Sequence, residues 1–228
     1  MVAPVQGPRL VILGRQGSGK GTQGMQLAAH LGIRHLSTGA MLREAVAHRS
    51  PLGRRVQRYL HQGRLVPDDL MVGLVDAAVR DPEVDRAGFL LDGFPRTKAQ
   101  AVKLLALLEP RGLDAALLLD VPRSEVERRL LARRVCPQCE APAVALHGEL
   151  TVACTSCGGV AVRRADDNPE AIARRLEAYE AQATPLEKLF AERGLLVTVD
   201  AFGPPADVFE RLQRAVQPIL WGEGAAVG

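Results

Sequence analysis

The nonapeptide Gly14-Arg15-Gln16-Gly17-Ser18-Gly19-Lys20-Gly21-Thr22 constrains the fold most, because of what stands on either side of it. Ahead of it lies the apolar run Leu10-Val11-Ile12-Leu13, and behind it residues 22–31 have helical character. Strand, glycine loop and helix in that order are what phosphate binding requires. The glycines let backbone N–H groups turn inward, and the helix N-terminus carries about half a unit of positive charge. Lys20 adds a mobile cation for the outer phosphates. The pattern is Gly-x-x-x-x-Gly-Lys, with Gly21 where the strict P-loop has Ser or Thr and Thr22 one place later. An ordinary strand-to-helix turn is the competing reading of so short a motif. Lysine usage favours the phosphate loop: 4 of the 29 basic residues are lysine, so a lysine within a glycine frame marks a place where a point charge is wanted.

The 228 residues give room for one or two domains with a real core. A net charge of +3 excludes a strong electrostatic pull toward nucleic acid or membrane. No run approaches the ~18 apolar residues of a spanning helix, and residues 1–8, with Pro4, Gly7 and Pro8, lack the apolar centre of a secretory signal. A cytoplasmic protein is the expectation.

Short apolar runs alternate with helical patterns along the chain. His35-Leu36 reads as a short extended piece, after which Ser37-Thr38 caps a helix over 39–48, and Pro51 starts another to His61. Asp68 or Asp69 is expected to cap a helix over 70–80. Phe89-Leu90-Leu91-Asp92 is a strand ending on an acid, and Thr97 caps a helix through Glu109. Strands over 115–120 and 195–200 follow, with helices over 124–134, 168–193 and 205–219. This alternation predicts an α/β fold with a central parallel sheet covered on both faces by helices.

The alternation stops between Arg134 and Asp167, where all four cysteines sit as Cys136-Pro137-Gln138-Cys139 and Cys154-Thr155-Ser156-Cys157. Two Cys-x-x-Cys turns at this separation can close a tetrahedral zinc site. Two disulfides are disfavoured in a reducing cytosol, and a redox pair needs a helix start. Between Cys139 and Cys154 there is no Lys, Arg, Phe, Tyr or Trp, so the ribbon lacks the cations and rings of a nucleic-acid reader. Arg128, Arg129, Arg133 and Arg134 enter this insert and Arg163, Arg164, Arg174 and Arg175 leave it. Folding it over would gather guanidinium groups, as neutralisation of a transferring phosphoryl group requires. Asp92, at the carboxyl end of its strand, is placed to hold Mg²⁺ through water.

Several ordered stretches together resemble adenylate kinase of the long, zinc-bearing bacterial type, over roughly residues 9 to 200: 14–23, 37–43, 65–68 and 88–97, then Arg133-Arg134-Val135-Cys136 and 166–170. The resemblance implies a P-loop nucleoside monophosphate kinase fold. It divides the chain into core segments 1–36, 68–132 and 168–228, an AMP-binding insert at 37–67 and a lid at 133–167. It implies reversible transfer from ATP, with Mg²⁺, to AMP, giving two ADP, by a monomer. On the donor side it implies Gly17, Ser18, Gly19, Lys20, Gly21 and Thr22 around the phosphates, with Arg129, Arg133 and Gly203 completing the ATP site. On the acceptor side it implies Thr38 and Gln100 at the AMP adenine, with Arg64, Leu65 and Val66 beside the ring. Arg43 and Arg96 would hold the AMP phosphate, with Gly93, Phe94 and Pro95 in the loop. Catalysis would rest on Lys20, Asp92, Arg96, Arg133, Arg164 and Arg175. Structural Zn²⁺ would be held by Cys136, Cys139, Cys154 and Cys157.

The chain departs from the family pattern at Ala40, where Asp is usual, in a lid without the usual Tyr-His and Asn-Pro-Pro elements, and at Ala201-Phe202-Gly203 in place of a Gly-Thr-Lys-like turn. Two other readings are a sibling kinase, using GTP with AMP or acting on UMP or CMP, and a non-catalytic P-loop or zinc-ribbon binder.

Overall fold

A computed structural model describes residues 6–62, 66–139, 141–145, 149–163 and 169–221. In chain order its elements begin β1 (Arg9–Leu13), α1 (Lys20–Leu31), β2 (Arg34–Ser37), α2 (Thr38–Ala47), α3 (Pro51–His61), α4 (Asp68–Val79), α5 (Pro82–Ala87) and β3 (Phe89–Asp92). Next come α6 (Lys98–Leu107), β4 (Ala115–Asp120), α7 (Arg123–Ala132), β5 (Arg133–Val135), β6 (Pro142–Val144), β7 (Thr151–Ala153) and β8 (Val160–Val162). The chain closes with α8 (Pro169–Ala191), β9 (Leu196–Asp200) and α9 (Pro205–Trp221). No helix among the described residues is long and apolar enough to cross a membrane.

Five parallel strands form the central sheet in the order β2-β3-β1-β4-β9. Successive side chains of a strand point to opposite faces, and the core divides accordingly. Val11, Leu13, Phe89, Leu91, Ala116 and Leu118 face one apolar cluster, which α2, α3, α4 and α6 cover. Leu10, Ile12, Leu90, Leu117 and Leu119 face the other, which α1, α7 and α9 cover. The long α8 serves both, with Ile172 and Leu176 on the second face and Leu186, Leu189 and Phe190 on the first. Burial on both sides is why these strands read as unbroken apolar runs.

Local expectations and the structure differ at four points. Pro67 stands at the start of α4, and Asp68 and Asp69 lie within its first turn and do not cap it; the Asp68 carboxylate instead accepts from Gln100 Nε2 at 2.6 Å. The helix expected over 124–134 ends at Ala132, because Arg133 turns to extended backbone (φ −64°, ψ 134°) and opens β5. His35-Leu36 belongs to a full strand, β2, paired along β3, and α5, capped by Asp81, has no counterpart among the expected elements.

The cysteine insert is a second sheet of order β6-β5-β8-β7, antiparallel throughout. Arg134 is 1% exposed at its root. Its guanidinium donates to the carbonyls of Leu131 and Arg133 at 3.1 and 2.9 Å and to those of Glu149 and Leu150. It therefore ties the segment before β7 to the end of α7, a structural task and not the phosphate contact expected of a stem arginine. Arg134→Met keeps the bulk and strands these carbonyls, each worth about 1–3 kcal/mol if left dry. The variant should show faster hydrogen exchange at 151–153 with the central strands unchanged; equal protection in both would remove this role.

Candidate functional site

All five strands of a parallel sheet end at one edge, and ligands gather outside the carboxyl ends of such strands. The P-loop leaves β1 there. Gly17 and Gly19 have φ of +89° and +98°, a region that side chains disfavour. At Gly17 a Cβ would also meet Leu130 Cγ of α7 at 2.8 Å, so glycine is required both by conformation and by the approach of α7. Gly19 is the N-cap of α1 and no side chain caps this end, which leaves the first-turn N–H groups, those of Gly21 and Thr22 included, available to an anion. Ser18 is 1% exposed, with its N–H bound to Arg15 O; it shapes the loop from inside.

Lys20 Nζ donates to Gly14 O at 2.6 Å and Arg15 O at 2.7 Å, folded back across its own loop. Burial brings its pKa down to about 8; Asp92 opposes the shift, and Arg96 and Arg133 add to it. These three charges therefore lie within electrostatic reach of the lysine. The Asp92 carboxylate also faces the start of α1, 3.7 Å from where a Cβ on Gly21 would lie. Burial lowers Arg96 from the usual guanidinium value, against Asp92 and with Arg175. Arg175 donates to Gln16 of the P-loop at 3.3 Å. The site thus assembles one carboxylate and four cations from β3, the loop after it, α1, β5 and α8, an excess of positive charge suited to polyphosphate.

On the β2 and β3 side, Thr38 is fully buried and its hydroxyl donates to Asp92 O at 3.1 Å. Gly93, at φ +86°, leaves no room for a Cβ against that hydroxyl. Phe94 is buried, and Val66 packs in the same core. Gln100 accepts from Arg96 N–H at 2.7 Å while its amide donates to Asp68, so it braces the loop holding Arg96, Pro95 and Phe94. Arg96 Nε donates in turn to Gly93 O. Arg43 of α2 lies over Gly39, its Nη1 3.3 Å from a Cβ there. Arg64, Leu65 and Arg164 lie outside the described residues.

On the β4 and β9 side, Arg129 of α7 is held by Glu125 at 2.6 Å and donates to Ala201 O at 3.2 Å and Gly203 O at 3.4 Å. Arg128 and then Arg129 hold Glu125 down to about 2. Of the expected stem arginines, Arg128 stays exposed and paired with Glu125, Arg163 and Arg174 are exposed, Arg129 reaches the turn after β9, and Arg133 and Arg175 reach the P-loop side.

Three contributors escaped the sequence reading. His35 Nε2 lies 3.8 Å from Asp92 Oδ2 and has no hydrogen-bond partner; burial lowers its pKa and Asp92 opposes the shift. Its signal was its place in the strand leading to Ser37-Thr38. Gln16 and Asp68 act through Arg175 and Gln100, and sequence spacing carries no sign of such pairings.

The four cysteine sulfurs lie within 4.8 Å of one another, with Cys136 to Cys157 and Cys139 to Cys154 at 3.5 Å. A tetrahedron of Zn–S bonds of ~2.3 Å has sulfurs about 3.8 Å apart, so the donor set fits zinc. Backbone N–H groups of Cys139 and Gln138 lower the Cys136 thiol, and those of Ser156 and Cys157 bring Cys154 to about 6, whereas the crowding of neighbouring sulfurs pushes Cys139 up to about 12 and raises Cys157; the first two are thus predisposed to the thiolates a metal needs. All four are free of disulfides.

The adenylate kinase family profile matches residues 12–195. The adenylate kinase of Moorella thermoacetica is 45% identical over 96% of this chain and 98% of its own length. Those of Carboxydothermus hydrogenoformans and Acidothermus cellulolyticus are 40% and 43% identical, each over 92% of this chain, covering 99% and 98% of their own lengths.

Proposed function

The chain belongs to the adenylate kinase family, and from that membership we propose that it transfers the γ-phosphoryl group of ATP reversibly to AMP, giving two ADP. The observation that carries this is Lys20 in its glycine loop with Asp92, Arg96 and Arg133 all within electrostatic reach. An oxygen of the AMP phosphate attacks the γ-phosphorus and the bond to the bridging β,γ-oxygen breaks, so charge migrates across a site that must neutralise it throughout. No general base is needed, because the acceptor phosphate is already an anion.

Lys20 leaves the Gly14 and Arg15 carbonyls for the β- and γ-phosphates, which the N–H groups of Gly19, Gly21 and Thr22 also line. Arg96, braced by Gln100, holds the acceptor phosphate with Arg43, and Thr38 and Val66 border its base. Arg133, Arg164 and Arg175 collect the transferring group. Mg²⁺, when bound with ATP, would neutralise phosphate charge, and Asp92 is the residue that would hold it. Residues 37–67 form the acceptor-binding insert and 133–167 a lid stiffened by zinc on its four cysteines. Closing that lid keeps water from the γ-phosphate. The reading is of a cytoplasmic monomer.

A coupled assay with Mg²⁺ and ATP, offering AMP, GMP, UMP and CMP in parallel, tests it. Rapid ADP formation with AMP alone is expected. Preference for UMP or CMP would move the chain to the sibling kinases, and turnover with none would leave only a binding role.

A further inference from the structure

The glycine-loop pattern leaves the residues between Gly14 and Gly17 unspecified, and in this chain both of them, Arg15 and Gln16, have side chains long enough to leave the loop. Both reach the same helix, α8. The Arg15 guanidinium carbon lies 5.8 Å from the centre of the Tyr179 ring, and its Nε is 3.7 Å from Glu180. Its Nη1 donates to Val121 O at 3.2 Å and lies 3.6 Å from Asp120. Arg123 of α7 donates to the same Glu180 at 2.9 Å. Ion pairs this exposed add little stability. Their effect is positional: they fix the loop, the end of β4 and α8 against one another.

One turn before Tyr179 on α8, and on the same face, stands Arg175, whose Nη1 donates to Gln16 Oε1 at 3.3 Å. Arg175 also bears on Arg96: burial lowers the Arg96 pKa most, and the like charge of Arg175 adds to the shift. It thus lies between the donor loop and the acceptor loop, where two guanidinium groups repel unless something holds them. A neutral amide oxygen holds a cation there without cancelling its charge. A hydrogen bond of this length lies just beyond the usual range, so arriving phosphate oxygens displace it at small cost.

We propose that Gln16 is a positioning residue for phosphoryl transfer: it holds the Arg175 guanidinium beside the phosphate loop, on a helix that Arg15 docks there, so that the charge is in place when the γ-phosphate arrives. This rests on the kinase reading above. Preorganised charge is what accelerates transfer, and a cation that must first find its position contributes less. The effect therefore belongs to kcat and not to donor binding, which the loop N–H groups and Lys20 supply.

Initial rates of the full chain with Mg²⁺, ATP and AMP decide it for Gln16→Met, Arg175→Met and the double variant, together with NMR relaxation of the Arg175 side-chain Nε in the nucleotide-free protein. Gln16→Met should lower kcat about tenfold, leave both KM values within about twofold and the melting temperature in place, and loosen the Arg175 side chain. Added to Arg175→Met, it should change kcat by less than about twofold, because the residue it acts through is gone. An unchanged kcat in Gln16→Met, a further loss of about tenfold in the Arg175→Met background, or an Arg175 side chain as ordered as before overturns the inference while the kinase reading stands. A wild-type chain without turnover on any acceptor removes the kinase reading, and this inference with it.

Discussion

Replacing Lys20 by alanine is expected to lower kcat for ATP and AMP by about 10²–10³-fold, the scale of losing one preorganised cation at developing charge. The melting temperature at pH 7 should not fall correspondingly. The folded protein holds this ammonium among Gly14 and Arg15 carbonyls with its pKa brought down by burial to about 8 from 10.5, so the cation is kept for the ligand at a cost to the fold. Between those two values the unfolded chain binds more protons than the folded one, and stability rises with pH across that window. The alanine variant should lose that rise. ATP favours the ammonium form, so its affinity should be full below pH 8 and fall above it, with proton uptake on binding near pH 8–9. Calorimetry in buffers of different ionisation enthalpy measures that uptake. A lysine-free variant with wild-type kcat would exclude Lys20 from the chemistry.

Cys154→Ser is expected to unfold the insert while the central sheet stays intact. The apolar core of the insert is Cys136, Cys154 and Ala161, with Ala141, Ala143 and Val152 against it, far too little to hold four strands of three residues each. A structural zinc contributes about 10–16 kcal/mol in small zinc-finger peptides, so on the proposed reading an insert with this small a core is expected to depend on zinc at its four cysteines. Hydrogen exchange at 133–136 and 151–162 should approach the unstructured rate, with β1, β3 and β4 still protected. Activity should fall more steeply as temperature rises than in the wild type, and a zinc chelator should reproduce the effect on the native chain. Unchanged protection of the insert in the serine variant would mean that its hydrogen bonds, Arg134 included, hold it without metal.

The two residues fail differently because they were differently legible. Cys154 announces itself by spacing, since a metal site is built from a short-range pattern that survives in one dimension. Lys20 is flagged by its glycine frame, but its surroundings are not: Asp92, Arg96 and Arg133 come from distant segments, and only the folded arrangement brings them within electrostatic reach of it. Gln100 shows the limit most clearly. The resemblance implies a place for it at the AMP adenine, and no spacing in the sequence shows that its amide also accepts from Arg96 N–H and donates to Asp68.

The arginines divide along the same line. Arginine at both stems of the insert suggested a gathering of guanidinium groups, yet Arg134 turns inward to backbone carbonyls and Arg128 outward to Glu125. One residue of difference in a strand reverses the face a side chain points to, and of the two adjacent arginines at the break of the helix Arg133 comes within electrostatic reach of Lys20 while Arg134 turns to backbone carbonyls.

By itself the sequence determined the α/β class, the glycine loop after the first strand, the two paired Cys-x-x-Cys turns and the resemblance to the family, because each is written in local periodicity or fixed spacing. Tertiary structure alone decided which charges lie within reach of Lys20, that Arg134 turns inward and which carbonyls after β9 Arg129 meets. Those depend on strand order and register, and the contacts that set them join residues far apart in the chain.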